Sequence, residues 1–213
     1  MASPLTVWSS TADGYVRSTN ADYPTARSGG TMYANTSASV IVGQYPTYVS
    51  AESFVSFDTS SVGAGSTVTV ATVSLNTSSD SSDADFTFEA RIFDWGASVT
   101  TADWRSGNPA DANSLDEYTL VASASTVDWP LQGYYKDLTS EAAFLSNVSK
   151  TATTYLVLDS SRHLNGDVPS GYEYIQSYSA DDATGGGGTD RDPKLYVEWA
   201  ASDRTCLIQF GIC

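Results

Sequence analysis

The sequence predicts an all-β fold, a jelly-roll-like antiparallel β-sandwich with one short helix and a C-terminal tail. The composition is rich in Ser, Thr, Val, Tyr and Gly, and few segments carry the Leu, Glu, Lys and Arg typical of long helices. Turn-forming clusters recur at intervals of about 8–12 residues, as in sandwiches. The 213-residue chain fits one such domain, residues 1–200, followed by a tail, residues 201–213.

Residues 54–75 are the stretch on which this fold prediction depends most. Val55 and Phe57 lie two residues apart, and apolar residues again occupy every second position from Ala71 to Leu75. A period of two is typical of strands that are buried on one face. The intervening residues 58–66 are rich in Ser, Gly and Thr, which form turns. The stretch therefore predicts a strand, a polar turn and a second strand.

Other strands are predicted by the same alternation between turn signals. The most regular pattern is at residues 86–93, and a closing strand is predicted at residues 194–199, where Leu195, Val197 and Trp199 share one face. Shorter apolar segments predict the remaining strands, at residues 32–33, 40–42, 118–122, 125–129, 134–138, 153–158 and 172–178.

One helix and several loops complete the prediction. Residues 139–148 favour a helix because Thr139 can cap it and the following Ala, Phe and Leu propagate it. Residues 20–27 and the acidic residues 76–85 predict surface loops. Residues 95–117 contain Gly, Pro, Asn and Asp, which indicates a long loop, and long loops are often functional.

The charge balance excludes several classes of partner. The net charge is −15, with 10 Lys and Arg against 25 Asp and Glu. A nucleic-acid-binding protein needs cationic side chains to displace counterions from phosphates, and binding to an anionic membrane surface needs them too. We therefore expect neither nucleic acid nor membrane as a partner. No segment approaches the ~20 apolar residues of a membrane span. The first residues carry neither the basic nor the apolar region of a signal peptide, so the chain is made without one or has been trimmed of one.

The motif FVSFDTSSVGAGSTVTVATVSL at residues 54–75 resembles the DNRLRE family of β-sandwich domains. Weaker matches lie in order around it, at residues 13–16, 20–30, 135–139 and 192–197. The resemblance implies a jelly-roll sandwich used in surface, secreted or appendage proteins, and some relatives are carbohydrate-binding modules beside polysaccharide-degrading enzymes. This chain departs from the family in carrying no catalytic domain and in its cysteine-bearing tail.

The sequence offers no catalytic set, so we expect a protein that is not an enzyme. His163 is the single histidine, and both cysteines lie far from it in sequence. Zinc-ligand spacing is absent. Ca²⁺ is the one cofactor that the acidic residues suggest, because hard cations bind carboxylate oxygens from loops. The candidate ligands are Asp80, Asp83 and Asp85; the alternative is a solvated acidic loop.

Two groups of aromatic residues are candidates for binding polysaccharide, because aromatic rings can stack on sugar rings. Trp95 and Trp104 flank a polar loop that also contains Arg105. The second group comprises Tyr172, Tyr174 and Tyr178. The alternative for both is packing in the core or at its rim, since Tyr and Trp are frequent in strands.

Cys206 and Cys213 both lie in the tail, among the apolar residues Leu207, Ile208 and Phe210. A disulfide there could close a small loop or join two subunits. An apolar tail is buried either against a partner or against its own domain.

We therefore expect a non-enzymatic structural or decoration subunit of a virion (a phage head, collar or tail appendage) or of a similar extracellular assembly, with homo-oligomeric contacts. The alternative is a carbohydrate-binding module or adhesin. Either would work in a virion or outside the cell.

Overall fold

The computed structural model describes residues 2–36, 39–182 and 190–201, and in these ranges it confirms the all-β, sandwich-like fold. The named strands pair in antiparallel ladders throughout. The strands are β1 (Ala2–Trp8), β2 (Gly14–Thr19), β3 (Thr31–Asn35), β4 (Ser39–Tyr45), β5 (Val49–Asp58), β6 (Thr67–Ser82), β7 (Thr87–Ile92), β8 (Leu120–Ser125), β9 (Tyr135–Asp137), β10 (Thr139–Ser140), β11 (Thr153–Ser160), β12 (Glu173–Tyr178) and β13 (Lys194–Ala200).

The long strand β6 belongs to both layers of the fold. Its first half pairs with β13, which in turn pairs with β1, and its second half pairs with β12. From β12 the second layer continues through β4, β5, β11, β7 and β8 to β10. The short strand β9 pairs back onto β6, so the segment that contains β9 and β10 connects the far edge of this layer with the first. The sheet therefore curls around its core.

The main core fills the space inside this curl. Val55, Phe57, Val73 and Leu75 are buried there, as the alternation at residues 54–75 predicts. Burying one such side chain contributes about 1.5–3 kcal/mol relative to leaving it in water. The strands predicted at residues 86–93 and 194–199 are also confirmed, and they contribute Phe86, Phe88, Ala90, Leu195 and Val197 to the same core.

The polar turn between β5 and β6 connects the two layers of the sandwich rather than two paired strands. β5 pairs with β2, β4 and β11, and no ladder joins it to β6. Ser66 donates a 2.7 Å hydrogen bond to the Val62 carbonyl, and the buried Val62 side chain anchors the turn in the core. Gly63, with φ of 83°, takes the left-handed conformation that the turn needs.

Three short α-helices lie in the described ranges: α1 (Tyr23–Gly29), α2 (Ala142–Asn147) and α3 (Ser161–Asn165). The helix predicted at residues 139–148 is present but shorter, as α2; its predicted cap is wrong, because Thr139 and Ser140 form β10 and Glu141 occupies the N-cap position. The loop predicted at residues 20–27 is wrong, because Asp22 caps α1 through the Thr25 amide at 3.0 Å and a proline begins the helix.

Two further expectations are wrong. Residues 76–82, predicted as an acidic surface loop, continue β6, because β12 supplies a ladder of partners and Asn76 and Thr77 are buried beneath. Residues 125–129 are predicted as a strand, but Ser125 ends β8 and residues 126–129 form a turn, in which Trp129 packs on Phe88 with ring centroids 5.2 Å apart. Residues 202–213, and with them Cys206 and Cys213, lie outside the described ranges.

Candidate functional site

One row of residues crosses five neighbouring strands of the second layer. Residues that are directly opposite in antiparallel strands lie on the same face of the sheet. The strand pairing therefore places on one face, in order from β3 to β12, the residues Tyr33, Arg17, Ala51, Gly43 and Tyr174.

Further tyrosines extend this row into an aromatic surface. The Tyr45 and Tyr174 rings are stacked, with centroids 4.6 Å apart and an interplanar angle of 21°. Tyr172 lies edge-on to both rings at 6.1 Å. We define the tyrosine surface as Tyr15, Arg17, Tyr33, Tyr45, Tyr172 and Tyr174, in which Tyr15 is buried at 7% exposure and supports Arg17 rather than facing solvent. Its two ends are open to solvent, since Tyr33 is 60% exposed and Tyr172 is 53% exposed.

Arg17 lies at the centre of the tyrosine surface and positions its neighbours. The guanidinium carbon is 4.8 Å from the centroid of the Tyr15 ring and 5.3 Å from that of Tyr45, both within the range of cation–π attraction. The same guanidinium donates a 3.4 Å hydrogen bond to the Tyr45 hydroxyl. Burial raises the pKa of Tyr45 to about 12, with Arg17 opposing the shift, so its hydroxyl stays neutral at physiological pH.

Small residues beneath the rings explain why they can lie close to the sheet. Ala51 and Gly43 occupy the middle of the row, and Tyr45 and Tyr174 pack against the small buried cluster that contains Ala51. Gly43 has φ of 127°, and a Cβ atom there would be 2.1 Å from the Glu173 carbonyl oxygen. Only glycine therefore allows β4 to approach β12 closely enough to bring Tyr45 against Tyr174.

The structure places only some of the aromatic residues that the sequence suggested together on one surface. It brings Tyr172 and Tyr174 together, but Tyr178 is 7% exposed, accepts a hydrogen bond from Gln132 and is covered by Arg191. The sequence reasoning did not identify Tyr15, Tyr33 and Tyr45. The signal that could have found them was the alternation of Tyr15 and Arg17 along β2 and the position of Tyr45 at the end of β4.

Trp95 and Trp104 do not present a ring face to solvent. They are 5% and 2% exposed, and both belong to a second buried cluster beneath the loop at residues 95–117. Arg105 donates to the backbone carbonyls of Ala102 and Asp103, and its guanidinium lies 4.2 Å from the centroid of the Phe93 ring. These three residues stabilise the long loop from within. The two indoles cannot stack on a ligand, because neither has an exposed ring face.

The acidic residues suggested as calcium ligands have separate partners. Asp80 accepts hydrogen bonds from Ser82, Asp83 accepts one from the Tyr172 amide at 3.0 Å, and Asp85 accepts one from Thr126. Within residues 2–36, 39–182 and 190–201, no group of three or more His, Cys, Asp or Glu side chains is arranged to hold a metal ion. The three aspartates are therefore not assembled into a ligand set.

The single histidine, His163, lies on α3 in a buried polar cluster. The His163 side chain is 1% exposed, its Nδ1 is 2.6 Å from Asp159, and its Nε2 is 3.1 Å from the Arg27 carbonyl oxygen. Glu52 is completely buried beside this pair and accepts a 2.6 Å hydrogen bond from the Arg105 amide. Burial, and then the negative charge of Asp159, raise the Glu52 pKa well above its usual value. Both imidazole nitrogens face protein oxygens, so the cluster holds α1 and α3 together.

Comparison with known proteins adds no relative: neither a protein-family model nor a curated protein matches this chain. The resemblance to DNRLRE domains therefore stays a prediction. In the part of the chain that the structure describes, no helix has the length and apolar character needed to cross a bilayer. The geometry of the tyrosine surface is therefore the basis on which a function can be assigned.

Proposed function

We propose that this protein is a carbohydrate-binding module or adhesin that binds polysaccharide on the tyrosine surface and catalyses no reaction. The observation that carries the proposal is the contact group of Tyr45, Tyr172 and Tyr174, whose rings meet on one face of the sheet. Clustered aromatic rings that remain partly exposed on a folded domain are typical of binding sites. A sugar ring has apolar C–H faces that pack on aromatic rings and hydroxyls that pair with phenol groups.

The sheet also provides the rigidity that such a site needs. All residues of the tyrosine surface except Tyr172 come from β2, β3, β4 and β12 and are held by backbone ladders. Tyr172 lies just before β12, where its amide and its carbonyl both form hydrogen bonds with Asp83. Tyrosine has few rotatable bonds, so it loses little conformational entropy when a ligand binds. Arg17 restrains two of the rings further. The surface is therefore preorganised for a ligand.

The proposal is tested by titrating soluble oligosaccharides by calorimetry after a glycan-array screen. Tyr172→Ala and Tyr174→Ala should each weaken binding at least about tenfold, the effect of truncating an aromatic anchor. Tyr134→Ala is the matched control, since Tyr134 is 67% exposed but lies outside the tyrosine surface. Silence towards every glycan, or an equal loss in the Tyr134→Ala control, would contradict the proposal.

A second candidate function is a structural or decoration subunit of a virion or similar extracellular assembly. It is favoured by an exposed apolar segment between β8 and β9, in which Val127, Leu131 and Tyr134 are 64%, 80% and 67% exposed. Contiguous apolar exposure of this kind is typical of surfaces that contact another subunit. Light scattering should then show an oligomer that Leu131→Asp converts to monomer. A wild-type protein that stays monomeric at high concentration and under oxidising conditions would refute this candidate.

A further inference from the structure

We infer that the ligand is a neutral polysaccharide chain that lies across the strands from Tyr33 to Tyr172 and is bound along its length rather than at its end. The inference rests on the proposed carbohydrate-binding function. It concerns the shape and charge of the ligand, which the proposed function leaves open.

The length of the tyrosine surface requires several sugar rings to cover it. The row from Tyr33 on β3 to Tyr174 on β12 crosses four strand-to-strand intervals. With a spacing of about 4.8 Å between strands, these intervals span about 19 Å, more than one pyranose ring covers. Arg17 and Tyr45 lie between the two ends, so a chain that reaches from Tyr33 to Tyr174 has partners throughout.

Both ends of the tyrosine surface are open. Tyr33 belongs to β3, which pairs only with β2 among the described strands and is therefore an edge strand. Tyr172, at the other end, is more than half exposed. A pocket that recognises the terminus of a glycan needs a wall where the chain stops, and the described residues at these two ends provide none. A chain can therefore continue past each end.

The charges around the tyrosine surface favour a neutral chain. The protein carries a net charge of −15, which repels polyanions at long range. Within the tyrosine surface the one cation is Arg17, whose guanidinium already contacts two rings and the Tyr45 hydroxyl. At the far end Asp83 accepts a hydrogen bond from the Tyr172 amide, which adds negative charge there. A uronate or sulfate group would meet repulsion without a dedicated counter-ion.

The test measures how affinity depends on chain length. Neutral β-1,4-glucan, β-1,3-glucan, β-1,4-xylan and α-1,4-glucan oligosaccharides, from dimer to octamer, would be titrated against the wild type, Tyr33→Ala and Tyr174→Ala. Affinity should rise with length in the ladder that binds. Tyr33→Ala should weaken the longer oligomers about five- to tenfold and leave the dimer unchanged, whereas Tyr174→Ala should weaken both. Tyr33→Phe keeps the ring and should recover most of the affinity that Tyr33→Ala loses.

The possible failures are distinguishable. A dimer that binds as tightly as the octamer, or a Tyr33→Ala variant that binds every length like the wild type, would overturn the extended-chain inference while the carbohydrate-binding proposal stands. Tighter binding of polygalacturonate or alginate than of any neutral chain, measured at about 0.15 M salt to limit long-range effects, would overturn the neutral-ligand part. Absence of binding to all of these probes would overturn the proposed function itself.

Discussion

Replacing Arg27 should destabilise the protein more than its position on a short helix suggests. Its guanidinium Nε donates a 2.7 Å hydrogen bond to the His163 carbonyl, and its Nη2 donates to the carbonyls of Gly107 and Leu164. One side chain therefore joins α1, the long loop at residues 95–117 and α3. Planar donors in a fixed fork make arginine suited to several carbonyls at once.

The size of the effect follows from these three bonds. A hydrogen bond from a charged donor contributes about 1.5–3 kcal/mol net, but Arg27 is partly exposed and water can replace part of what is lost. The bonds also share one side chain, so their contributions do not add. We expect Arg27→Ala to lower the free energy of unfolding by about 2–4 kcal/mol. For a domain of this size that corresponds to a fall in Tm of about 4–16 °C.

Urea denaturation followed by tryptophan fluorescence measures this change. Arg27→Lys keeps the charge but not the planar fork, so it should recover little of the loss. Arg105→Ala is the matched control, because the Arg105 side chain donates only to carbonyls two and three residues away in sequence; even with its contact to the Phe93 ring, the change should cost at most about 1 kcal/mol. A loss below about 1 kcal/mol for Arg27→Ala, or full recovery with lysine, would refute the reasoning.

Three further predictions concern individual residues. Gly43→Ala should lower stability and weaken glycan binding together, because the added Cβ would clash with the Glu173 carbonyl oxygen. Denaturation and calorimetry on the same variant measure the two effects. A variant that is as stable as the wild type and binds as tightly would contradict this prediction. The Glu52 pKa is raised on folding. Protonated Glu52 therefore contributes fully to the free energy of unfolding below its unfolded pKa of about 4.3, and this stabilisation is lost as the pH rises through the folded pKa. Glu52→Gln should flatten this loss in denaturation curves recorded across pH, and unchanged pH dependence would count against it. Trp104→Ala should lower the free energy of unfolding by about 3–5 kcal/mol, because its ring is buried. The glycan affinity of the folded variant should stay unchanged, and a loss of affinity would show that Trp104 belongs to the binding site.

The fold could be predicted from the sequence where the alternation of apolar and polar residues along the chain determines which side chains are buried. The strand at residues 86–93 and the faces of Val55 and Leu195 follow directly from alternation. The second half of β6 could not be predicted, because its Ser- and Asp-rich sequence is typical of loops and its strand structure depends on the ladder with β12, which is distant in sequence. Local propensity is a weak guide where a neighbouring strand supplies the partners.

The tyrosine surface was only partly predictable for a related reason. Tyr172 and Tyr174 are neighbours in sequence, so their grouping was visible. Tyr33 and Tyr45 join them through the register of five strands, which one sequence does not contain. Trp104 was misleading because residue type and a polar neighbourhood do not determine exposure; the loop that contains it folds back over the ring.

The place of β13 between β1 and β6 determines the order in which the chain can complete its fold during synthesis. β1 begins at Ala2 and is synthesised before its ladder partner β13, which begins only at Lys194. Until that strand emerges, β1 lacks its ladder and the first half of β6 presents an open edge, a template for strands of other chains. Pairing of strands so far apart in sequence is also slow. Truncation before Lys194 should therefore yield aggregated rather than partly folded protein, and the first layer closes only after β13 has been released.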